Sequence, residues 1–176
     1  MTDENAAYLK KYIRDIPDFP KKGIVFKDIT PLLKDSRAFA MMAESIAVNH
    51  EDLGVTHVAV IESRGFLLGS AVASQLGVGL IPIRKKGKLP WKVHQASYEL
   101  EYGTDVIEVH QDAAGPGDKV LIVDDVIATG GTAKAACELV EKLGAKVAGI
   151  ALLIELGFLK GREKLPGRDV QALITY

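Results

Sequence analysis

The chain has 176 residues, 48% of them hydrophobic and 26% charged, with a formal net charge of −1. That length suits a single domain, 1–176, with a core large enough to stand without staples, and that balance excludes a disordered chain. Near-neutrality speaks against a broad basic surface for nucleic acid, and no stretch approaches the ~18 uninterrupted apolar residues of a membrane span.

The opening MTDENAAYLKKYIRDIPDFP carries early acids and no apolar run, so it does not read as a signal peptide, and the expected compartment is the cytoplasm. Asn5 to Ile13 predicts a short amphipathic helix with Tyr8, Leu9, Tyr12 and Ile13 on one side. Pro17 and Pro20 end it and open a loop. KKGIVFKDITPLL follows, a short apolar stretch punctuated by glycine and proline. Asp35 or Ser36 then caps a long helix running to about Leu53, with Gly54 as its stop. His57 to Ile61 reads as a buried strand, Gly65 to Leu76 as the helix after it, and Val78 to Ile83 as a second strand with Pro82 near its end.

The middle of the chain changes character. Arg84 to Ala96 is a basic loop without periodicity, and loops of that length are commonly functional. ASYELEYGTDVIEVH alternates like two strands around Gly103, which places an antiparallel hairpin at Tyr98 to His110. Asp112 to Asp118 is turn-rich. The cleanest unit comes next: strand Lys119 to Val123, a loop, helix Thr132 to Leu143, Gly144, and strand Lys146 to Ile154. The only cysteine, Cys137, falls inside that helix and reads as a buried structural thiol. His50, His57, His94 and His110 show no metal-ligand spacing with one another or with Cys137. Helices alternating with continuous apolar strands predict an α/β fold around a mostly parallel sheet covered on both faces.

VLIVDDVIATGGTA, Val120 to Ala133, carries the strongest chemistry. An apolar strand runs into Asp124 and Asp125, where an open α/β sheet presents its ligands. Ala128, Thr129, Gly130, Gly131 and Thr132 then supply small residues and a helix N-terminus, which together suit a phosphate. Two adjacent carboxylates accept hydrogen bonds from sugar hydroxyls, so the combination describes a ribose 5-phosphate site. A Walker loop is excluded because Lys134 lies three residues beyond Gly131, and the G-x-G-x-x-G spacing of a dinucleotide fingerprint is missing too. Either the Asp-Asp pair or the Gly-Gly pair alone would pass for a solvated strand end or a tight turn.

This motif resembles the phosphoribosyl diphosphate signature of the type I phosphoribosyltransferases. Five further segments are similar to blocks of the adenine-specific members: GIVFKDITPLLKD, ESRGFLLG, IRKKGKLP, ASYELEYG and LKGREKL. The resemblance implies that family's fold, a parallel sheet with helices, a small N-terminal hood and a flexible antiparallel hairpin. It implies Asp124 and Asp125 on the ribose hydroxyls and Ala128 to Thr132 around the 5′-phosphate. It also implies a cis-type peptide near Glu62 and Ser63 that turns backbone N–H toward the diphosphate. Arg64, with its forked guanidinium, would hold that diphosphate together with Ser63, Lys85 and Lys88. Val25, Phe26 and Lys27 would form the adenine pocket, although Val25 and Phe26 alone would pass for core packing.

Glu101 would be the flap carboxylate that handles a proton on the adenine imidazole, with Arg64 the second catalytic group. The expected reaction joins adenine to phosphoribosyl diphosphate, giving AMP and diphosphate in purine salvage. Mg²⁺ would be carried mainly by the donor rather than by a protein cage, and the resemblance adds a homodimer. Rival readings are the same chemistry on another purine, or a non-catalytic ribose-phosphate-binding regulator of the same fold.

Overall fold

The computed structural model describes residues 3–99 and 104–176. Helix α1 (Asp3–Lys10) leads into a separate antiparallel pair, β1 (Arg14–Pro17) and β2 (Val25–Asp28). Then come α2 (Thr30–Lys34), α3 (Ser36–His50), β3 (His57–Ile61), α4 (Arg64–Leu76), β4 (Gly79–Lys85), β5 (Val93–Glu99) and β6 (Thr104–His110). The chain continues through β7 (Lys119–Ile127), α5 (Gly131–Lys142), β8 (Lys146–Glu155) and β9 (Val170–Thr175). Seven strands form one sheet in the order β5-β6-β4-β3-β7-β8-β9. Its five strands from β4 to β9 are parallel, and β6 and β5 extend it antiparallel at one edge.

The side-chain period of two sorts the apolar strands into two cores. Val58, Val60, Leu121 and Val123 face α3 and α4, with Ile46, Leu68 and Val72 packed against them. Ala59, Ile61, Val120 and Ile122 point the other way, onto Ala136, Leu139 and Val140 of α5. The α/β expectation holds, and the layers explain why these strands are apolar throughout: each is buried on both faces. Cys137 is buried in the second core, where burial pushes its thiol up to about 11. Asp35 caps α3 by accepting from Ala38 N–H at 2.8 Å, and Gly54 in the left-handed region (φ 67) follows the extra helical turn that succeeds it.

Several boundaries differ from the sequence expectation. The first helix stops at Lys10 instead of Ile13. The strand expected over Lys119–Val123 runs on to Ile127, because Asp124, Val126 and Ile127 keep pairing with Leu152, Ile154 and Glu155. The two aspartates therefore sit within a strand, not beyond its end. The basic loop is shorter than expected, since β4 continues to Lys85 and β5 already begins at Val93, which pairs with His110. The β1–β2 pair, α2 and β9 are additional elements.

Candidate active site

A cleft of about 550 Å³ opens over the carboxyl ends of β3 and β7. Its floor is the run from Asp124 to Thr132, in which Ala128, Thr129, Gly130, Gly131 and Thr132 all reach the lining. Gly130 holds φ 78, the left-handed conformation that turns the chain from β7 into α5. There the first backbone N–H groups of α5 lack intrahelical partners and point outward, with the positive end of the helix dipole behind them. Lys134 N–H donates to Gly130 O at 3.0 Å, the first bond of the helix ladder.

Asp125 is 5% exposed, and Asp124 is half-buried beside it. Asp124 Oδ1 accepts from the Asp125 N–H at 2.9 Å. Arg64 Nη2 lies 2.7 Å from Asp125 Oδ2, an ion pair without the angle of a hydrogen bond, so Oδ2 remains without a donor among the described residues. Burial raises the pKa of both carboxyls, most strongly at Asp124, where the neighbouring Asp125 charge adds to it; Arg64 works against the rise. Two adjacent acids lining the cleft, one buried and one half-buried, suit a ligand that brings hydroxyl donors.

The opposite wall starts at the Glu62–Ser63 peptide, which is cis, as expected. Ser63, Arg64, Lys85 and Lys88 all line the cleft, whereas Arg84 and Lys86 stay outside its lining. Glu62 gathers this wall: its carboxylate accepts from Arg84 Nε at 3.2 Å, from the Lys85 N–H at 3.1 Å, and from Lys88 Nζ. Burial pushes the Glu62 carboxyl up, but the Lys88, Lys85 and Arg84 hydrogen bonds outweigh it and hold the group below the usual carboxylate range. Lys85 Nζ lies 3.3 Å from Asp105, which also accepts from the Tyr98 hydroxyl at 3.1 Å. Tyr98 thereby joins the cleft wall, although in the sequence it marks only the start of the expected hairpin.

The three residues expected around a base divide between two places. Phe26 lies under the Arg64 guanidinium, 4.7 Å from ring centre to carbon, so it adjoins the cleft through that arginine. Val25 and Lys27, on the other face of β2, line a neighbouring apolar cavity of about 400 Å³ with Phe158, Leu159 and Tyr176. The Lys27 ammonium is engaged by Asp15 at 2.7 Å and lies 3.8 Å over the Tyr176 ring, so its side chain points away from the cleft. Phe158 and Leu159 were missed in the sequence, where an isolated Phe-Leu after a strand carries no periodic signal. Glu101 and Tyr102 lie outside the described residues. The strand leading to them does touch the cleft: a Cβ on Gly131 would stand 3.3 Å from the Glu99 carbonyl oxygen.

Comparison with known proteins bears on the family and the fold. The model of the phosphoribosyl transferase domain matches residues 32–169. An adenine phosphoribosyltransferase of Halothermothrix orenii is 57% identical over 166 residues, 94% of this chain and 98% of the relative. The crystal structure of an adenine phosphoribosyltransferase from Thermoanaerobacter pseudethanolicus superposes with a TM-score of 0.95 at 52% identity, covering 97% of this chain and 99% of that one. The Saccharomyces cerevisiae enzyme, crystallised with an imino-altritol bisphosphate and adenine, is similar at a TM-score of 0.94 and 41% identity, over 98% and 99% of the two chains.

Proposed function

From the premise that this chain belongs to the adenine phosphoribosyltransferases, within the phosphoribosyl transferase domain family, we propose that it converts adenine and phosphoribosyl diphosphate to AMP and diphosphate in purine salvage. The observation that carries the reading is the shared wall of the cleft, where an anion-binding loop, two adjacent carboxylates and Arg64 meet within one volume. The 5′-phosphate takes the N–H groups of the loop and of the first turn of α5. The ribose hydroxyls donate to Asp124 and Asp125, which both line the cleft. Arg64, Lys85, Lys88 and the Ser63 backbone face the diphosphate.

Cleavage at the anomeric carbon passes through an oxocarbenium-like state, as in other glycosyl transfers, and delivers charge to the departing diphosphate. Arg64 and the lysines neutralise that charge while the carboxylates stand beneath the cationic sugar. Mg²⁺ belongs to this reading as a companion of the donor. Asp124 and Asp125 offer it two carboxylates, and the described residues contain no group of three or more histidine, cysteine or acidic side chains that could form a cage of their own. Carried in with the donor, it would supply further neutralisation of the diphosphate. Glu101, which lies outside the described residues, takes the proton from the adenine imidazole nitrogen.

Adenine recognition is assigned to the backbone of β2. Among the described residues that strand has β1 as its one strand partner, and a strand paired on one side keeps unpaired backbone groups on its other edge. The Val25 C=O and N–H match the 6-amino donor and N1 acceptor of adenine, and hypoxanthine presents the reverse pattern. Phe26 supplies a ring for the base plane, and the side chain of Lys27 is left to its partners at Asp15 and Tyr176. A cytoplasmic homodimer completes the proposal: symmetric dimers are the commonest closed assembly of soluble enzymes, and no described helix is long and apolar enough to cross a membrane. The test is an omission experiment. AMP forms only when adenine, donor and Mg²⁺ are all present; donor binding with no AMP under any combination would leave a non-catalytic binder.

A further inference from the structure

The LKGREKL segment, Leu159 to Leu165, carries no part of the reaction proposed above, yet it lies directly behind the phosphate loop. Gly161 packs against the back of the loop. A Cβ there would stand 2.8 Å from Ile127 Cγ1 and 3.1 Å from the Gly130 backbone nitrogen, and would overlap the Ala128 carbonyl oxygen. A Cβ on Gly130 would in turn collide with Gly161, coming within 3.0 Å of its carbonyl carbon and closer still to its oxygen. Backbone meets backbone here, so neither side has a flexible side chain to give way.

What holds Gly161 in place is the next residue. Arg162 makes a two-pronged pair with Glu155, Nε to Oε1 and Nη2 to Oε2, each at 2.7 Å, and its Nη1 donates to the Val170 carbonyl oxygen. Glu155 is 9% exposed at the end of β8, and Val170 begins β9. One guanidinium thus ties the segment behind the loop to two strands of the central sheet. Forked charge-assisted pairs of this kind fix direction as well as distance.

We propose that Arg162 and Glu155 form a brace that seats Gly161 against Ala128 and Gly130, making Arg162 a positioning residue for the phosphate end of the donor. The proposal rests on the donor-binding reading of the cleft. The brace acts on the ribose 5-phosphate contacts, and none of Glu155, Gly161 and Arg162 lines the cleft or the cavity beside Val25.

The test uses the full chain with Arg162→Met, Arg162→Lys and Gly161→Ala. Steady-state KM for phosphoribosyl diphosphate, KM for adenine, kcat and thermal melting are measured together. Direct binding of ribose 5-phosphate is titrated as well. Arg162→Met and Gly161→Ala are expected to raise the donor KM and weaken ribose 5-phosphate binding roughly tenfold or more, below the ~10²-fold that an ångström of misplacement can cost. The adenine KM and kcat should stay within about threefold of the parent, and Arg162→Lys should recover part of the donor affinity because one prong survives. Gly161→Ala leaves the Arg162–Glu155 pair intact, so it reports on the loop contact even where Arg162→Met fails to fold. Folded variants with lowered melting temperature but unchanged donor KM would overturn the brace, as would equal losses for both substrates. A parent chain that binds ribose 5-phosphate without turnover would instead sink the enzymatic reading, and the binding titration would still decide the brace.

Discussion

Replacing Asp124 by Asn tests whether the carboxylate pair is kept for binding at the expense of stability. Asp124 is half-buried next to Asp125, which is 5% exposed, and both carboxyls have raised pKa values. A carboxyl whose folded pKa exceeds its unfolded one contributes stability below the ordinary carboxylate range. That contribution is lost as the pH rises through the raised values, so the pair burdens the substrate-free fold once the pH passes them. Asn keeps the shape and the oxygen that accepts from the Asp125 N–H at 2.9 Å, and removes the charge that burial and Asp125 oppose. The remaining Asp125 charge still faces Arg64 at 2.7 Å.

The expected gain is about 1 kcal/mol near pH 8, within the ~0.5–2 kcal/mol of other single stabilising changes at functional sites. In a chain of this size that corresponds to roughly 2–4 °C in melting temperature. Thermal denaturation from pH 4 to 8, in buffer without phosphate, is the assay. The advantage should shrink toward the acid end, as the carboxyls of the parent take up protons. Donor affinity should fall at least about tenfold, since a hydrogen bond to a charged group contributes ~1.5–3 kcal/mol. An Asn variant less stable than the parent at pH 8, or one whose advantage grows toward pH 4, would refute this account of the pair.

Glu101→Ala should abolish most turnover, about 10²–10⁴-fold for a lost proton acceptor, while donor affinity measured by titration stays near the parent value. Lys88→Ala should raise the donor KM more than the adenine KM, because the ammonium lines the cleft beside Glu62; equal effects on both substrates would speak against its place at the diphosphate. Gly130→Ala should lose donor binding altogether, since φ 78 and the Gly161 backbone both exclude a side chain. Isothermal titration with ribose 5-phosphate checks this, and near-parent affinity would contradict it.

The sequence revealed most where several signals agreed. VLIV followed by two acids, small residues and a helical period marked the cleft floor, and the structure puts Asp124 to Thr132 in one lining. The apolar runs of β3 and β7 were legible because burial on both faces leaves no alternation to confuse them. The β1–β2 pair was not, because four-residue strands without a fully buried position, with prolines nearby, carry little pattern. The basic segment looked like one long loop because the start of β5, Val93 to Ala96, mixes exposed and buried positions without a clean apolar face. Tyr98, Phe158 and Leu159 reach their cavities through tertiary folding, which no local spacing encodes. The Gly161–Gly130 contact joins residues 31 positions apart, and in sequence Gly161 looks like any other turn glycine.

The most direct measurement offers the chain an equimolar mixture of adenine, hypoxanthine and guanine with phosphoribosyl diphosphate and Mg²⁺, and separates the nucleotides formed. AMP should accumulate alone, with the other purines disfavoured by about 10⁴-fold, as expected of a site that would leave buried polar groups unpaired. IMP or GMP as the main product would contradict the backbone reading at Val25, and no nucleotide at all would contradict the transfer itself.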